Sequence, residues 1–283
     1  MGEPRYSIAV CNYNEGDTIR ESLRSILGQI TTEYEVVVVD DGSTDGSLGV
    51  LKELSREYPN LRYVVGENDN IAEARNHSYR EARGEYVLTS LDPDDRYSTG
   101  IRDFATVYRQ LEAALEDPFH LQGQGVAIAP RELFLELPYR SMTYGEDLDR
   151  YRRLLANDAV VWLDHELFWE KIDFEARLTR TRKRYRTMTA EFRAGVTLRS
   201  SLRYYRAPDT PVSPLACLAA VPAYLLAAKR GRYDLPGAYR RKRTLFREVE
   251  RRLATLPELE ERHGFEMDRE SLSPAGRRIF FEG

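Results

Sequence analysis

Cysteine is nearly absent from this sequence of 283 residues, which contains two cysteines, Cys11 and Cys217, and four histidines. Two cysteines so far apart provide neither a disulfide framework nor a thiolate metal site, which excludes the small disulfide-rich and zinc-finger classes. The amino-terminal residues also lack the long apolar segment of a signal peptide, because a strand-like run begins by Ile8. These absences favour a reducing compartment, and we expect a cytoplasmic protein.

The sequence also has little that would span a membrane. Its apolar stretch at residues 215–228 has 14 residues and contains Pro222, whereas a membrane-spanning helix needs about 20 apolar residues. Basic residues bracket the stretch, with Arg206 before it and Lys229 and Arg230 after it. We prefer to interpret it as an interfacial or re-entrant pair of helices, and the alternative is a helical hairpin buried in a core.

Charge is unevenly distributed along the chain, although the formal net charge is only −4. Residues 1–170 contain 17 Lys and Arg against 32 Asp and Glu, a balance of −15, whereas residues 171–283 contain 25 against 14, a balance of +11. We therefore divide the chain into an acidic region, 1–170, suited to binding cations, and a basic helical region, 171–283. An anionic membrane surface is the predicted partner of the basic region. Nucleic acid is not expected as a partner, because the aromatic residues there form no stacking platform.

Strand and helix patterns alternate through the acidic region. Apolar, β-branched runs at residues 6–11, 34–39 and 61–65 predict buried strands, and apolar residues at helical spacing predict helices at 19–30 and 48–54. Strands that alternate with helices are typical of an α/β fold with a mostly parallel, doubly wound sheet. The same patterns predict strands at 86–88, 126–129 and 160–163 and helices at 71–83, 101–115 and 240–262.

Two groups of acidic side chains follow predicted strands. Asp40 and Asp41 come directly after the second strand, and Asp92, Asp94 and Asp95 follow the fourth. Asp and Pro are common turn residues, so a solvated turn is the conservative interpretation of either group alone. Open α/β sheets bind ligands at the carboxyl ends of their strands, and close carboxylates repel one another unless a cation lies between them. The pattern therefore favours a hard divalent cation at this edge of the sheet.

A third acidic group, formed by Glu146, Asp147 and Asp149, precedes the apolar residues of a helical pattern. Carboxylates in the first turn of a helix are favoured by the helix dipole, which is the conservative interpretation of this group.

Taken in order, five segments resemble the motifs of the inverting glycosyltransferases of family 2, which have the GT-A fold. They are residues 12–15 (NYNE), 40–45 (DDGSTD), 70–76 (NIAEARN), 92–95 (DPDD) and the pair Glu146-Asp147. The resemblance covers residues 6 to about 170 and leaves the rest of the chain unmatched. It implies that residues 1–170 form a GT-A domain, the Rossmann-like fold of nucleotide-diphospho-sugar transferases.

The resemblance also implies roles for particular residues. The implied donor-nucleotide-binding residues are Asn12, Tyr13, Glu15, Asp40, Asp41, Arg75 and Asp92. Asp94, together with Asp92, matches the metal-binding DxD motif, so Mg²⁺ or Mn²⁺ is the implied cofactor, neutralising charge on the departing nucleoside diphosphate. Asp147, with Glu146 beside it, matches the general base, which would take a proton from an acceptor hydroxyl that attacks with inversion at the anomeric carbon.

Two features depart from the family pattern. Only 50 residues separate Asp95 from Glu146, in the region that shapes the acceptor pocket. The QxxRW motif of processive relatives is missing, which favours the transfer of a single sugar. We expect a UDP-, GDP- or dTDP-linked donor, a lipid-linked or glycan acceptor, and a location at the inner face of the cell membrane. The alternative function is that of a nucleotide-sugar binding or scaffold protein with a degenerate acceptor site.

Three further residues are weaker candidates. His165 follows the last predicted strand of the acidic region and is the histidine that we single out as an additional metal or diphosphate contact, although a structural role is the conservative interpretation. Lys171 and Arg177 follow the same strand and could close over the diphosphate of the donor. Their conservative interpretation is a solvated basic surface.

Overall fold

The structure is a computed structural model that describes residues 2–142, 145–172, 185, 187–205, 215–232, 248–249 and 251–282. Its strands are β1 (Tyr6–Asn12), β2 (Tyr34–Asp40), β3 (Leu61–Val65), β4 (Tyr86–Thr89), β5 (Asp95–Tyr97), β6 (His120–Gln122), β7 (Ala127–Pro130), β8 (Val160–Leu163), β9 (Trp169–Lys171) and β10 (Leu253–Ala254). Its first six helices are α1 (Ile19–Leu27), α2 (Ser47–Glu57), α3 (Ile71–Glu81), α4 (Ile101–Ala114), α5 (Arg131–Glu136) and α6 (Glu146–Ala156). Further helices in the second half of the chain are Leu198–Tyr205, Leu215–Arg230, Leu256–His263 and Pro274–Arg277.

Eight strands form one mostly parallel sheet in the order β10-β8-β6-β7-β4-β1-β2-β3. Within the described part of this sheet, β7 alone runs antiparallel to its neighbours β4 and β6. The order β4-β1-β2-β3 confirms the predicted mostly parallel arrangement, in which α1 and α2 connect parallel strands. The carboxyl ends of β1, β2 and β4 therefore meet at one edge, where Asn12 lies opposite Asp40.

Apolar side chains cover both faces of the sheet. Along β2, Val36 and Val38 belong to one core cluster, while Val37 belongs to another together with Ala9. Successive side chains of a strand point to opposite faces, so a strand that is buried on both sides needs an unbroken apolar run. Helices α1, α2 and α4 supply the first cluster, and α3, α5 and α6 supply the second.

The carboxyl-terminal residues share the core of the acidic region. Met267, Leu272 and Phe280 are buried in the first cluster, and β10 extends the sheet beside β8. The division at residue 170 stays a prediction, but residues 253–282 pack with the acidic region because burying their apolar side chains completes its core.

A strand and a short helix replace part of the helix predicted at 240–262. Residues 240–247 lie outside the described residues, and further on the chain forms β10 and then the helix Leu256–His263. Pro257 lies in the first turn of this helix, where no N–H is needed, and Glu258 accepts a hydrogen bond from the Thr255 N–H at 2.8 Å. These capping residues begin a new helix, which the amphipathic pattern did not reveal.

The apolar stretch near residue 220 forms the single helix Leu215–Arg230, with Pro222 inside it, and not the preferred pair of helices. The helix belongs to a separate small cluster that consists of Met188, Phe192, Ala220, Ala223 and Ala227. Its other side leaves Leu218 and Leu225 exposed. Within the described part of the chain, no helix combines the length and the apolarity that crossing a bilayer requires.

Candidate active site

Asn12 and Asp40 form a buried pair at the carboxyl ends of β1 and β2. Asn12 Nδ2 donates to Asp40 Oδ2 at 2.5 Å and to Ser43 Oγ at 3.1 Å. Asp40 also accepts from the N–H and the hydroxyl of Ser43, at 2.9 and 2.7 Å. The two side chains are only 2% and 0% exposed. Because these polar groups bind one another, they hold the loop that begins at Asp41 in one conformation.

Side-chain hydrogen bonds join the loop after β1 to the loop after β2. Asn14 Oδ1 accepts from the Thr44 N–H at 2.8 Å, and Asp45 Oδ2 accepts from the Gly16 N–H at 2.7 Å. Tyr13 lies between Asn12 and Asn14, which are both held by hydrogen bonds, and remains 62% exposed. Its ring is therefore presented to solvent by a loop that is anchored on both sides.

The loop after β3 holds the Asp41 carboxylate. Asn68 Nδ2 donates to Asp41 Oδ1 and lies 3.4 Å from His77 Nδ1. Gly66 permits this packing, because a Cβ atom there would lie 2.8 Å from Asp41 Oδ1. The sequence analysis missed Asn68 and His77, since only the packing of β3 and α3 against β2 brings them to Asp41.

Asp92, Asp94 and Asp95 converge after β4, with one carboxylate oxygen from each within 4.8 Å of the others. Lys171 Nζ lies among them, 2.8 Å from Asp94 Oδ1, 2.7 Å from Asp95 Oδ1 and 3.9 Å from Asp92 Oδ2. Burial by itself lowers the pKa of Lys171, but its ion pairs with Asp94 and Asp95 outweigh burial, so the pKa is raised. Burial raises the pKa of Asp95, and Lys171 opposes that shift.

Lys171 reaches this cluster through a pair of short strands that the sequence analysis did not predict. β9 runs antiparallel to β5 and places Lys171 opposite Asp95. The Ile172 N–H donates to the Asp94 carbonyl oxygen at 2.9 Å. Trp169 anchors the other end of β9, because its Nε1 donates to a backbone carbonyl of the β6–β7 loop at 2.8 Å. Strands of three residues contain too little periodicity to be recognised from sequence.

Arg75 on α3 forms an ion pair with Glu146, the first residue of α6, with 2.9 Å between Nη1 and Oε1. The Arg75 guanidinium carbon also lies 5.2 Å from the centre of the Tyr139 ring. Asn76 binds the Tyr139 backbone twice, donating to its carbonyl at 2.7 Å and accepting from its N–H at 2.9 Å. These contacts dock the segment before α6 onto α3.

The two predicted catalytic carboxylates begin α6 but differ in their surroundings. Glu146 is 9% exposed, and burial raises its pKa, with Arg75 opposing the rise and Asp147 adding to it. Asp147 is more accessible, and its Oδ1 accepts from the Leu148 N–H at 2.8 Å. Asp147 is therefore the carboxylate of this pair that solvent reaches more readily.

Cys11, at the end of β1, lies close enough to Arg75, Asp41 and Asp92 for their charges to affect its thiol. Burial raises the pKa of the Cys11 thiol to about 12, the Arg75 charge lowers it, and the charges of Asp41 and Asp92 raise it. The ends of β1 and β2, helix α3 and the loop after β4 thus lie within electrostatic reach of the Cys11 sulfur atom.

His165 is 7% exposed, and both of its ring nitrogens are used. Nε2 accepts from the Gln124 N–H at 2.9 Å, and Nδ1 donates to the Glu166 carbonyl oxygen at 2.7 Å. This tautomer leaves no lone pair for a metal ion, so the structure does not support His165 as a metal ligand. Arg177, the other residue suggested beside Lys171, lies outside the described residues.

The acidic cluster has the chemistry of a hard-cation site. Three carboxylates supply oxygen ligands within a few ångströms, which suits Mg²⁺ or Mn²⁺, and their positions after β4 put them at the sheet edge where α/β proteins bind ligands. Asp41 and Tyr13, in the loops after β2 and β1, add a hydrogen-bond acceptor and an exposed ring. Together these groups fit an anionic ligand that also coordinates a metal ion.

Replacing Glu146 with Gln is expected to change how stability depends on pH. Because burial raises the pKa of Glu146 above 4.5, the folded protein binds this proton more tightly than the unfolded chain does. The resulting stabilisation is full below about pH 4.5 and is lost as the pH rises through the raised pKa. The free energy of unfolding of the wild type should therefore fall relative to that of E146Q across this window.

Urea unfolding at several values between about pH 4 and pH 7 measures this difference. Glu136→Gln, at an exposed position of α5, is the control and should keep a constant difference from the wild type. A constant difference for E146Q as well would show that the folded protein does not shift the pKa of Glu146.

Known proteins with sequences similar to this chain include glycosyltransferases. The model of the family described as glycosyl transferase family 2 matches residues 7–153. YibD of Escherichia coli (strain K12), described as an uncharacterized glycosyltransferase, is 33% identical over 114 residues, which are 40% of this chain and 31% of YibD. TuaG of Bacillus subtilis (strain 168), named as a glycosyltransferase of teichuronic acid biosynthesis, is 30% identical over 152 residues, which are 52% of this chain and 58% of TuaG.

This chain therefore covers less than two thirds of the length of each of these two relatives. Among solved structures, the mannosyltransferase PcManGT from Pyrobaculum calidifontis has a similar fold, with a TM-score of 0.52 and 20% identity over 88% of this chain and 85% of that chain. The predicted α/β fold of the GT-A type is thereby confirmed. The family model matches more than half of the residues of this chain, so the chain belongs to glycosyl transferase family 2.

Proposed function

We propose that residues 1–170 form the catalytic domain of a metal-dependent, inverting glycosyltransferase that moves one sugar from a nucleotide-diphosphate donor to an acceptor hydroxyl. The observation that carries this proposal is the convergence of Asp92, Asp94 and Asp95 within 4.8 Å at the ligand-binding edge of the sheet. Membership of the family supports the reaction class. Transfer of a single sugar is proposed because the motif of processive relatives is missing.

The donor nucleotide is proposed to bind at the ends of β1 and β2. The residues assigned to it are Asn12, Tyr13, Glu15, Asp40, Asp41, Arg75 and Asp92. Asn12 and Asp40 act through the loop that they hold, whereas Asp41 accepts from a base N–H or a ribose hydroxyl. PcManGT, which shares the fold, was solved with GDP-Man and Mn²⁺. A donor of the same class, linked to UDP, GDP or dTDP, is proposed for this chain.

Asp94 and Asp92 are proposed to hold Mg²⁺ or Mn²⁺. When bound, the ion neutralises negative charge that develops on the departing nucleoside diphosphate. Carboxylate oxygens are the ligands that these hard cations prefer, which makes the cluster suitable.

Asp147 is proposed to be the general base, with Glu146 as its neighbour. Glu146 is paired with Arg75, so its carboxylate holds the start of α6 in place, whereas Asp147 is the more accessible group. Asp147 takes the proton of the acceptor hydroxyl while that oxygen attacks the anomeric carbon from the face opposite the diphosphate. The configuration of the sugar is therefore inverted.

Turnover of nucleotide sugars by the full chain tests this proposal. Release of nucleoside diphosphate from UDP-, GDP- or dTDP-sugars, in the presence of a lipid extract, should stop when EDTA is added and resume with excess Mn²⁺. The configuration of the product, read by NMR, should be opposite to that of the donor. Calorimetric binding of a nucleotide sugar without turnover on any acceptor would instead support the alternative of a binding or scaffold protein.

The acceptor is proposed to be a lipid-linked or other glycan at the inner face of the cell membrane. Helix Leu215–Arg230 supports this location, because Leu218 and Leu225 lie two turns apart with 72% and 63% exposure. Lys229 and Arg230 follow them in the last turn. An exposed apolar face next to basic residues is typical of a helix that binds an anionic lipid surface.

Replacing Leu218 and Leu225 together with Asp should weaken binding to vesicles that contain anionic lipid by about tenfold or more, since each inserted CH₂ group contributes about 0.8 kcal/mol. Flotation of the full chain with vesicles of mixed neutral and anionic lipid measures the effect. Leu135→Asp, at an exposed leucine of α5, is the matched control. Equal flotation of the double variant and the wild type would exclude this helix face as the docking surface.

A further inference from the structure

The Lys171 ammonium group stands where the proposed function puts a divalent cation. It donates a hydrogen bond to Asp94 Oδ1 and lies 2.7 Å from Asp95 Oδ1 and 3.9 Å from Asp92 Oδ2. A divalent cation bound by the same carboxylates would lie about 2.0–2.6 Å from their oxygens. The two cations would repel each other and would need the same lone pairs, so Lys171 has to move when the metal binds.

The backbone fixes the starting point of the Lys171 side chain. Pairing of β9 with β5 sets Lys171 opposite Asp95, and the next N–H donates to the Asp94 carbonyl oxygen. Trp169 holds the other end of the strand. An exposed lysine on a free surface gains little from an ion pair, because holding the pair together costs side-chain entropy. In this protein the pairing of β9 with β5 keeps the ammonium group close to the three carboxylates, so its effective concentration there is high.

The Lys171 side chain is also able to move away from the three carboxylates. Lys171 is 52% exposed, and four carbons separate its ammonium group from the backbone. Its charge is a point charge that binds phosphate well. A nucleoside diphosphate in the proposed donor site would bring phosphate oxygens close to the carboxylates that would hold the metal ion.

We propose that Lys171 is an exchangeable counter-ion that makes metal binding depend on the nucleoside diphosphate. Without nucleotide, the ammonium group neutralises part of the carboxylate charge and competes with the divalent cation. With nucleotide, the ammonium group moves to the phosphate oxygens and releases the carboxylates to the metal. This role deepens the proposed function and rests on it, since the same carboxylates are the metal ligands.

The consequence is cooperative binding of two ligands. If the nucleotide strengthens metal binding by some factor, the metal strengthens nucleotide binding by the same factor. Lys171 couples the binding of metal and nucleotide because its ammonium group exchanges the carboxylates for the phosphate oxygens. Removing Lys171 should therefore tighten metal binding in the absence of nucleotide and reduce the factor by which the nucleotide improves it.

Titration of the full chain with Mn²⁺, followed by the electron paramagnetic resonance signal of the free ion, tests this role. Lys171→Gln should bind Mn²⁺ without nucleotide about tenfold more tightly than the wild type, which corresponds to about 1.4 kcal/mol. Added UDP or GDP, corrected for Mn²⁺ held by free nucleotide, should improve Mn²⁺ binding more in the wild type than in K171Q. Arg96→Gln is the control, because Arg96 lies on β5 and pairs with Glu21 and Glu170.

The outcomes separate this inference from the proposed function. If the wild type binds Mn²⁺ and K171Q binds it no more tightly, Lys171 is not a competing counter-ion, although the metal site stands. If neither protein binds Mn²⁺ with or without nucleotide, the metal-dependent function fails together with the counter-ion. An affinity of R96Q equal to that of K171Q would show that any lost positive charge has the same effect, which also overturns the inference.

A second measurement uses the unaltered chain and does not depend on the folding of a variant. Acetylation by an N-hydroxysuccinimide ester, read by mass spectrometry, compares Lys171 with the exposed Lys52 on α2. Saturating Mn²⁺ should increase the labelling of Lys171 several-fold relative to Lys52, and UDP or GDP added with Mn²⁺ should protect Lys171 again. Labelling of Lys171 that does not respond to Mn²⁺ would overturn the exchange.

Discussion

Replacing Asp147 with Asn is expected to lower the turnover of nucleotide sugar by about 10³-fold, in the middle of the 10²- to 10⁴-fold range that a general base contributes. The amide has nearly the shape of the carboxylate but does not accept the proton of the acceptor hydroxyl. Donor affinity, measured by calorimetry, should remain unchanged, because none of the proposed nucleotide-binding residues lies on α6. The loss therefore appears in kcat.

The matched control is Asp158→Asn, which makes the same change just beyond the other end of α6. The Asp158 side chain is 88% exposed, and its partner is Arg252, in a surface ion pair that contributes little to stability. Its turnover should equal that of the wild type. Normal turnover of D147N would remove Asp147 from the mechanism, and a weakened donor affinity would mean that its main role is in binding.

The second large effect is expected for Asp94→Asn, which removes one of the three carboxylates of the cluster. Metal stabilisation of a leaving group contributes several kcal/mol and each 1.36 kcal/mol is a factor of ten, so turnover should fall by about 10³-fold. The variant should also lose its response to metal and nucleotide together. At about 100 times its dissociation constant a ligand stabilises a protein by about 2.7 kcal/mol, which raises the melting temperature by about 5 °C or more.

Thermal unfolding with Mn²⁺ and UDP, and separately with Mn²⁺ and GDP, measures this shift. The wild type should be stabilised by at least one of the two mixtures, whereas D94N should melt at its ligand-free temperature in both. Asp117→Asn, at an exposed position before β6, is the control and should behave like the wild type. Stabilisation of D94N by the same mixture would mean that Asp94 does not hold the metal ion.

The sequence predicted well those parts of the fold in which a local residue pattern is compatible with one type of secondary structure. The run from Val36 to Val39 is apolar at every position, and only a strand buried on both faces satisfies it. The acids after β2 and β4 could be placed at one edge for a similar reason, because parallel strands connected by helices end on the same side. The order of the motifs then identified the family.

Other parts depend on contacts between residues that are distant in the sequence. The apolar residues near the carboxyl terminus, such as Leu272 and Phe280, show no pattern that distinguishes a separate helical region from an extension of the main core. The proline and the capping residues around Pro257 started a helix where a longer one was expected. His165 could not be assigned from sequence either, because the groups that use its two nitrogens are backbone groups of other residues.

The sequence by itself determined the strand–helix alternation, the family, and which acidic residues gather at the ligand-binding edge, because these follow from hydrophobic periodicity and from the order of short motifs. Tertiary structure alone decided the partners of those acids. Arg75 meets Glu146 across 71 positions, and Lys171 meets Asp94 across 77. Hydrogen bonds and ion pairs act over a few ångströms, and no local pattern specifies which distant side chain the folded backbone brings within that range.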